Sequence, residues 1–331
     1  MRVDDVVALL ALFAIVAYGV LGGADFGGGV WDALARGPRA REQRTAIAHA
    51  MGPVWEANHV WLIFLLVILF TAFPPAYAAL SVALYWPFHL ALLGITLRGA
   101  SFIFRGQARD VDHGEGRAWG SVFGGASVVT PFVFGVCLGA VSSDANRVLA
   151  PMPIVTGLLA VAICAYLAAV YLANETEGDL REDFRRRALV AGTIVVALSA
   201  IAVPLTRVVA RPFWEGLVGE RGAPIVAIGI VCTLVSGWAI RSRRYRLARA
   251  AAIAQVAWLL CGWGAAQYPF VIRAGTESLD LASSAAPRVT LVFVLWTLPL
   301  AVCLVLPATA LLFSVFKGGA ANEQKARDSG K

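Results

Sequence analysis

The sequence predicts an all-α membrane protein with nine spans, and three observations carry that expectation. Of its 331 residues 59% are hydrophobic and only 15% charged, with a mean hydropathy of +0.73, far too apolar for one water-soluble core. Uninterrupted apolar runs of roughly 20 residues recur along the chain, the length a helix needs to cross a bilayer; barrel strands would leave short alternating runs instead. The basic residues, finally, fall on alternate loops.

The spans follow in order as Val6–Leu21, Trp55–Phe73, Ala76–Leu97, Trp119–Val141, Ile154–Ala173, Ala188–Val209, Pro224–Ile240, Ala250–Phe270 and Val289–Phe316. The first has Arg2 offset by Asp4 and Asp5 and no small-residue cleavage site before Gly22, so it reads as a retained helix and not a signal peptide. Pro74 and Pro75 alone join the second to the third, as a tight helix–helix turn. Pro299 and Pro307 should kink the last span unless neighbours satisfy the carbonyls they free. Residues 1–319 form a single transmembrane domain, and 320–331 a short, disordered polar tail.

Between these spans the odd-numbered loops and the C-terminal tail hold 21 of the 28 Lys and Arg residues. By the positive-inside rule the N-terminus lies outside and the C-terminus in the cytoplasm, and one span more or fewer would scramble the alternation. The net charge of +7 is dispersed among the loops, which argues against nucleic acid and for anionic lipid as the partner. The run Arg241-Ser242-Arg243-Arg244-Tyr245-Arg246 reads as a topology signal at the cytoplasmic lipid surface. Cys137, Cys164, Cys232, Cys261 and Cys303 all lie in apolar runs without a C-x-x-C, the pattern of inert core cysteines and not of zinc, redox or covalent haem sites. No metal site is expected in the chain.

The polar residues that do enter the spans are few. Pro53-Val54-Trp55-Glu56-Ala57-Asn58-His59-Val60-Trp61 opens the second span with an acid, an amide and an imidazole, and Trp55 and Glu56 flank His59 at helical spacing. Asp25 ends the first span and Arg98 the third, so Asp25, Glu56 and Arg98 share one membrane face. Arg98 is expected to face Glu56 with Asp25 close by, because charges kept at membrane boundaries favour partners. The competing arrangement has all three snorkel separately into headgroups. Gly22-Gly23-Ala24-Asp25-Phe26-Gly27-Gly28-Gly29 is too glycine-rich for an ordinary helix end and fits either close backbone approach or a flexible turn.

Four histidines are present. His59 and His89 lie in neighbouring spans, which raises haem ligation, yet their depths from opposite helix ends differ by about 6 Å at 1.5 Å per residue. They are read as hydrogen-bonded structural histidines. Trp55, Trp86, Trp119 and Trp214 near span ends fit interfacial anchoring. Spacing alone leaves the function open between a transporter and a subunit of a redox complex.

These motifs, with Trp31-Asp32, Leu69-Phe70-Thr71-Ala72-Phe73-Pro74, Arg98-Gly99, Phe104-Arg105, Tyr268-Pro269 and Ala282-Ser283-Ser284, resemble subunit II of cytochrome bd-type quinol oxidases. The resemblance is dense over the first third of the chain and sparse beyond. It implies two four-helix bundles plus one peripheral helix, and a heterodimer with subunit I in the bacterial cytoplasmic membrane. It places two b-type haems, the d-type haem and quinol oxidation in subunit I, leaving this subunit without haem ligands. The complex would oxidise quinol and reduce dioxygen to water, taking its protons from the cytoplasm. A small accessory subunit and a structural quinone occur in such complexes.

By the same resemblance the acid of the Trp-acid-x-Asn motif is Glu56 and the Gly-x-Asp-x-Gly acid is Asp25. The expected proton pathway runs through Glu56, with Asp25 as outer acceptor and Asn58 and His59 as hydrogen-bond partners. Trp55 and Arg98 are candidates for quinone contact or charge balance. The alternatives are a scaffold for the catalytic subunit and, from another class, an independent permease with a midplane site.

Overall fold

The computed structural model describes residues 2–107, 114–144, 147–273 and 278–328, without the side chains of 52–57, 106, 107, 114, 115, 309 and 312–328. Helix α1 (Val3–Ala33) runs the full length of the glycine-rich segment, so the flexible-turn alternative gives way to unbroken helix. Its glycines are there for contact: a Cβ on Gly27 would lie 1.8 Å from the Cys164 carbonyl oxygen and 2.7 Å from Ala168 Cβ.

A short link leads to α2 (Ala40–Ala72), which begins 15 residues before the expected span and extends about 50 Å at 1.5 Å per residue. The expected third span is corrected. Residues from Ala76 do not open it; they belong to α3 (Pro74–Ala83), bent 117° from α2, and the crossing helix is α4 (Tyr85–Gln107). Three prolines explain the break. Pro74 and Pro75 start α3 where their missing N–H costs nothing, while Pro87 cannot donate to the Ala83 carbonyl and its ring would crowd it, so the chain restarts at Tyr85.

Then come α5 (Gly114–Ser142), α6 (Pro151–Glu175) and α7 (Gly178–Val209), the last starting ten residues before its expected span. The short α8 (Arg211–Val218) occupies what reads in sequence as a loop, and α9 (Gly222–Arg241) and α10 (Tyr245–Gln267) follow. A small antiparallel pair, β1 (Phe270–Ile272) and β2 (Leu279–Asp280), and α11 (Leu281–Ser284) lead into α12 (Arg288–Asp328). α12 remains one helix through Pro299 and Pro307 and carries helical backbone to 328, beyond the point where a disordered tail is expected. Among the described residues, eight helices are long and apolar enough to cross a membrane, and the bent α2–α3 pair makes a ninth.

Helices α6, α7, α9 and α10 pack in a closed ring, whose core joins Tyr166, Leu172, Phe184, Val195, Ile240 and Val256. Tyr166 Oη and Ser236 Oγ share a hydrogen bond inside it, and Ser236 donates to the Ala248 carbonyl at 3.2 Å. Helix α1 packs against α2, α5, α6 and α10, and α5 against α4 and α6. The N-terminal part of α12 lies on α2 and α1 through Leu291, Val294 and Leu298, beside Val7, Ile68 and Phe73. The molecule is thus an all-α polytopic membrane protein in which α1 joins that ring to α2 and α5.

Candidate functional site

On α1, Asp25 and Asp32 are seven residues apart, as are Arg98 and Arg105 on α4. Seven residues are close to two helical turns, so each pair shares a face. The carboxylates on one helix meet the guanidinium groups on the other in two rungs. In the first, Arg98 Nη1 donates to Asp25 Oδ2 and Nη2 to Asp25 Oδ1, both at 2.7 Å, with a further bond from Nη2 to the Asp25 carbonyl at 3.0 Å. In the second, Arg105 Nη1 and Nη2 donate to Asp32 at 2.6 and 3.2 Å.

The first rung is deeply enclosed. Asp25 is 1% exposed and Arg98 3%, a bidentate fork out of water of the kind that forms only when both charges are matched. Helix α5 completes the seat: Arg98 Nε donates to Ser127 Oγ at 3.0 Å, and the guanidinium carbon lies 5.1 Å from the Phe26 ring centroid and 4.8 Å from that of Phe123. A Cβ on Gly29 would lie 2.0 Å from Ser127 Oγ, so only glycine lets α5 bring that hydroxyl beneath the arginine. Asn58 on α2 adds the fourth side: its Nδ2 donates to Asp25 Oδ2 at 2.9 Å, and it is 1% exposed.

Of the residues expected from sequence, Asp25, Asn58 and Arg98 therefore converge. The expected proximity of Asp25 to Arg98 is a direct bidentate pair, while the expected facing of Arg98 and Glu56 falls on a side chain outside the described residues. The side chains of Glu56 and Trp55 lie outside the described residues. His59 is partly buried on α2 and engaged in contacts there. His89 is exposed on α4, its ring centroid 4.1 Å from that of Tyr85 and tilted 38° to it, with Nδ1 donating to the Tyr85 carbonyl at 2.8 Å. Separate snorkelling of Asp25 and Arg98 is excluded by their burial.

Sequence reasoning did not single out Asp32, Arg105, Ser127 or Phe123 as site residues. The repeated interval of seven, present in both α1 and α4, was the available signal for the second rung. Ser127 carried none, being one hydroxyl in a long apolar helix. Arg105 keeps 18% of its side chain exposed, so Asp32→Asn should lower stability by about 1–2 kcal/mol, less than a lesion at the first rung. Thermal unfolding of the purified protein in detergent measures it.

At the end of the bundle where α7 begins, a second polar group ties the α1–α2 link to that helix. Arg39 forks onto Asp183 at 2.9 and 2.7 Å, Gln43 Nε2 donates to the same carboxylate at 2.9 Å, and Arg187 Nη2 donates to Gln43 Oε1 at 2.7 Å. Among the described residues no three His, Cys, Asp or Glu side chains gather as a metal site would require.

The fold and this enclosed charge pair define a polytopic helical membrane protein whose polar chemistry is concentrated where α1, α2, α4 and α5 meet. The chain belongs to the cytochrome bd terminal oxidase subunit II family, whose model matches residues 3–316. It is 29% identical over 254 residues to the cytochrome bd ubiquinol oxidase subunit 2 of Bacillus subtilis, covering 72% of this chain and 73% of that one. It is 24% identical over 348 residues to the cytochrome bd-I ubiquinol oxidase subunit 2 of Escherichia coli K12, covering 91% of each. In fold it is similar to a chain of the bd oxidase of Geobacillus thermodenitrificans, with a TM-score of 0.79 at 19% identity over 96% of this chain and 99% of that one. It is accordingly one subunit of an oxidoreductase complex that uses haem and includes a subunit I.

Proposed function

We propose that the chain is the haem-free subunit II of a bacterial plasma-membrane quinol oxidase that reduces dioxygen to water, and that it supplies the cytoplasmic proton route through the Glu56–Asp25 region. The names of the relatives, ubiquinol oxidase subunits, support the substrate pair. Two b-type haems and the d-type haem belong to subunit I in this reading. The N-terminus lies outside and the C-terminus in the cytoplasm, within one transmembrane domain over 1–319 and a polar tail over 320–331. A structural quinone near Trp55, a small accessory subunit and anionic lipid complete the assembly.

The observation that carries the proton route is the buried cluster of Asp25, Arg98 and Asn58, with Glu56 two residues before Asn58 on α2. Both Asp25 oxygens already accept from Arg98, and one accepts from Asn58 as well. Those contacts hold the carboxylate in one orientation, which suits Asp25 to be the outer acceptor of the route, with Arg98 supplying charge balance. Proton carriage falls to Glu56, a carboxyl at a membrane boundary. His59, next along α2, completes the hydrogen-bonding set.

Glu56→Gln tests this, keeping shape and polarity but no exchangeable acid. Quinol-driven oxygen uptake of the purified complex should fall by about 100-fold, the usual contribution of a proton-transferring side chain, while the reduced-minus-oxidised haem spectrum stays native. Native turnover in Glu56→Gln would leave only the scaffold role. A chain that purifies alone, stable and without a haem-bearing partner, would favour the permease instead.

A further inference from the structure

Asn58 has more to say about the route. Its amide has only one possible orientation, because a carboxylate held by arginine accepts hydrogen bonds and cannot donate one. The Nδ2 end must face Asp25, as it does at 2.9 Å, and Oδ1 must face away. That oxygen is fully buried and has no donor among the described residues, on a side chain 1% exposed. A buried acceptor without a donor is penalised by its lost solvation, and such groups in native proteins are nearly always met by protein or by ordered water.

We infer that Asn58 Oδ1 holds an internal water molecule, positioned by the Asp25–Arg98 pair, as a hydrogen-bonded link of the proton route proposed above. The chain of cause runs from α4 to α2. Arg98 fixes the Asp25 carboxylate, Asp25 fixes the amide, and the amide then presents an acceptor and never a donor. The water therefore points an O–H at Asn58 and keeps its lone pairs free to receive a proton. Asn58 is a positioning residue in this arrangement, and its assignment as part of proton delivery rests on the function proposed above.

Two variants and one map test it, all on the full complex. Asn58→Leu keeps similar bulk but has no acceptor, and oxygen uptake should drop about tenfold at every pH. Asn58→Asp retains an outward oxygen and, when protonated, donates an O–H to Asp25. Activity should therefore persist at acid pH and fall about tenfold at alkaline pH, where a second carboxylate would stand beside Asp25. A flat Asn58→Asp profile, or native uptake in Asn58→Leu, would overturn the proton-delivery role. An electron cryomicroscopy map of the native complex should show an isolated water within hydrogen-bond distance of Oδ1; a side-chain donor in that place, from either subunit, would overturn the site itself. Native turnover in Glu56→Gln together with that water would sink the route through Glu56 but leave the water site standing.

Discussion

Arg98→Ala should abolish recovery of the assembled complex. The substitution leaves the Asp25 carboxylate, 1% exposed, without its two 2.7 Å partners, and stranding a buried charge in this way costs about 3–5 kcal/mol. That is comparable to the whole margin of many folded domains. Asp25→Asn alone should be damaging for the converse reason, since it strands the guanidinium. The double variant Asp25→Asn/Arg98→Gln removes both charges and should recover more haem-bearing complex than either single change, because the coupling term is large for groups in direct contact. The amount of complex purified through a tag on this chain, with its thermal unfolding, gives the comparison. If the double variant is as defective as the sum of the singles, the pair does not act as a unit.

Gly27→Leu should be equally severe, through packing and not charge. The obstacle is main chain on α6: the added Cβ would come 1.8 Å from the Cys164 carbonyl oxygen and 2.4 Å from its carbon, so no rotamer change relieves the clash. Helices α1 and α6 must separate, and α1 is the element that joins the α6–α7–α9–α10 ring to α2 and α5. The expected cost is about 3 kcal/mol or more, at the upper end for overpacked cores. Asp25 lies two residues away on the same helix, so any surviving protein should also lose activity. Gly237→Ala on α9 is the control, with nothing within 4 Å of its added Cβ, and should be neutral or slightly stabilising. Thermal unfolding of the two variants side by side reads the contrast.

The two lesions show why different parts of the molecule were readable to different degrees. The glycines at 22–29 signalled close approach or a turn equally well, since glycine permits both; the packing partners on α5 and α6 are more than 90 residues away in sequence. The third span was misplaced because Ala76–Ala83 is as apolar as a crossing helix. Its break depends on Pro87, which sequence reading passed over in favour of Pro74 and Pro75. Helices α2 and α7 begin early because polar first turns are invisible to a search for apolar runs, yet those turns hold the Arg39, Gln43 and Asp183 contacts.

The sequence by itself determined the all-α membrane class, the nine apolar segments and the family, because each depends on local composition or on short motifs that one stretch of chain contains whole. It also brought Asp25 and Arg98 to one end of the bundle, since alternating spans return to the same face. Only the tertiary structure decided that Arg98 grips Asp25, that Ser127 and Asn58 complete the seat, and that Asp32 and Arg105 repeat it. The reason is geometric: when nearly every helix face is apolar, periodicity cannot say which face turns inward, and partners 73 residues apart are chosen by the helix packing that brings them together.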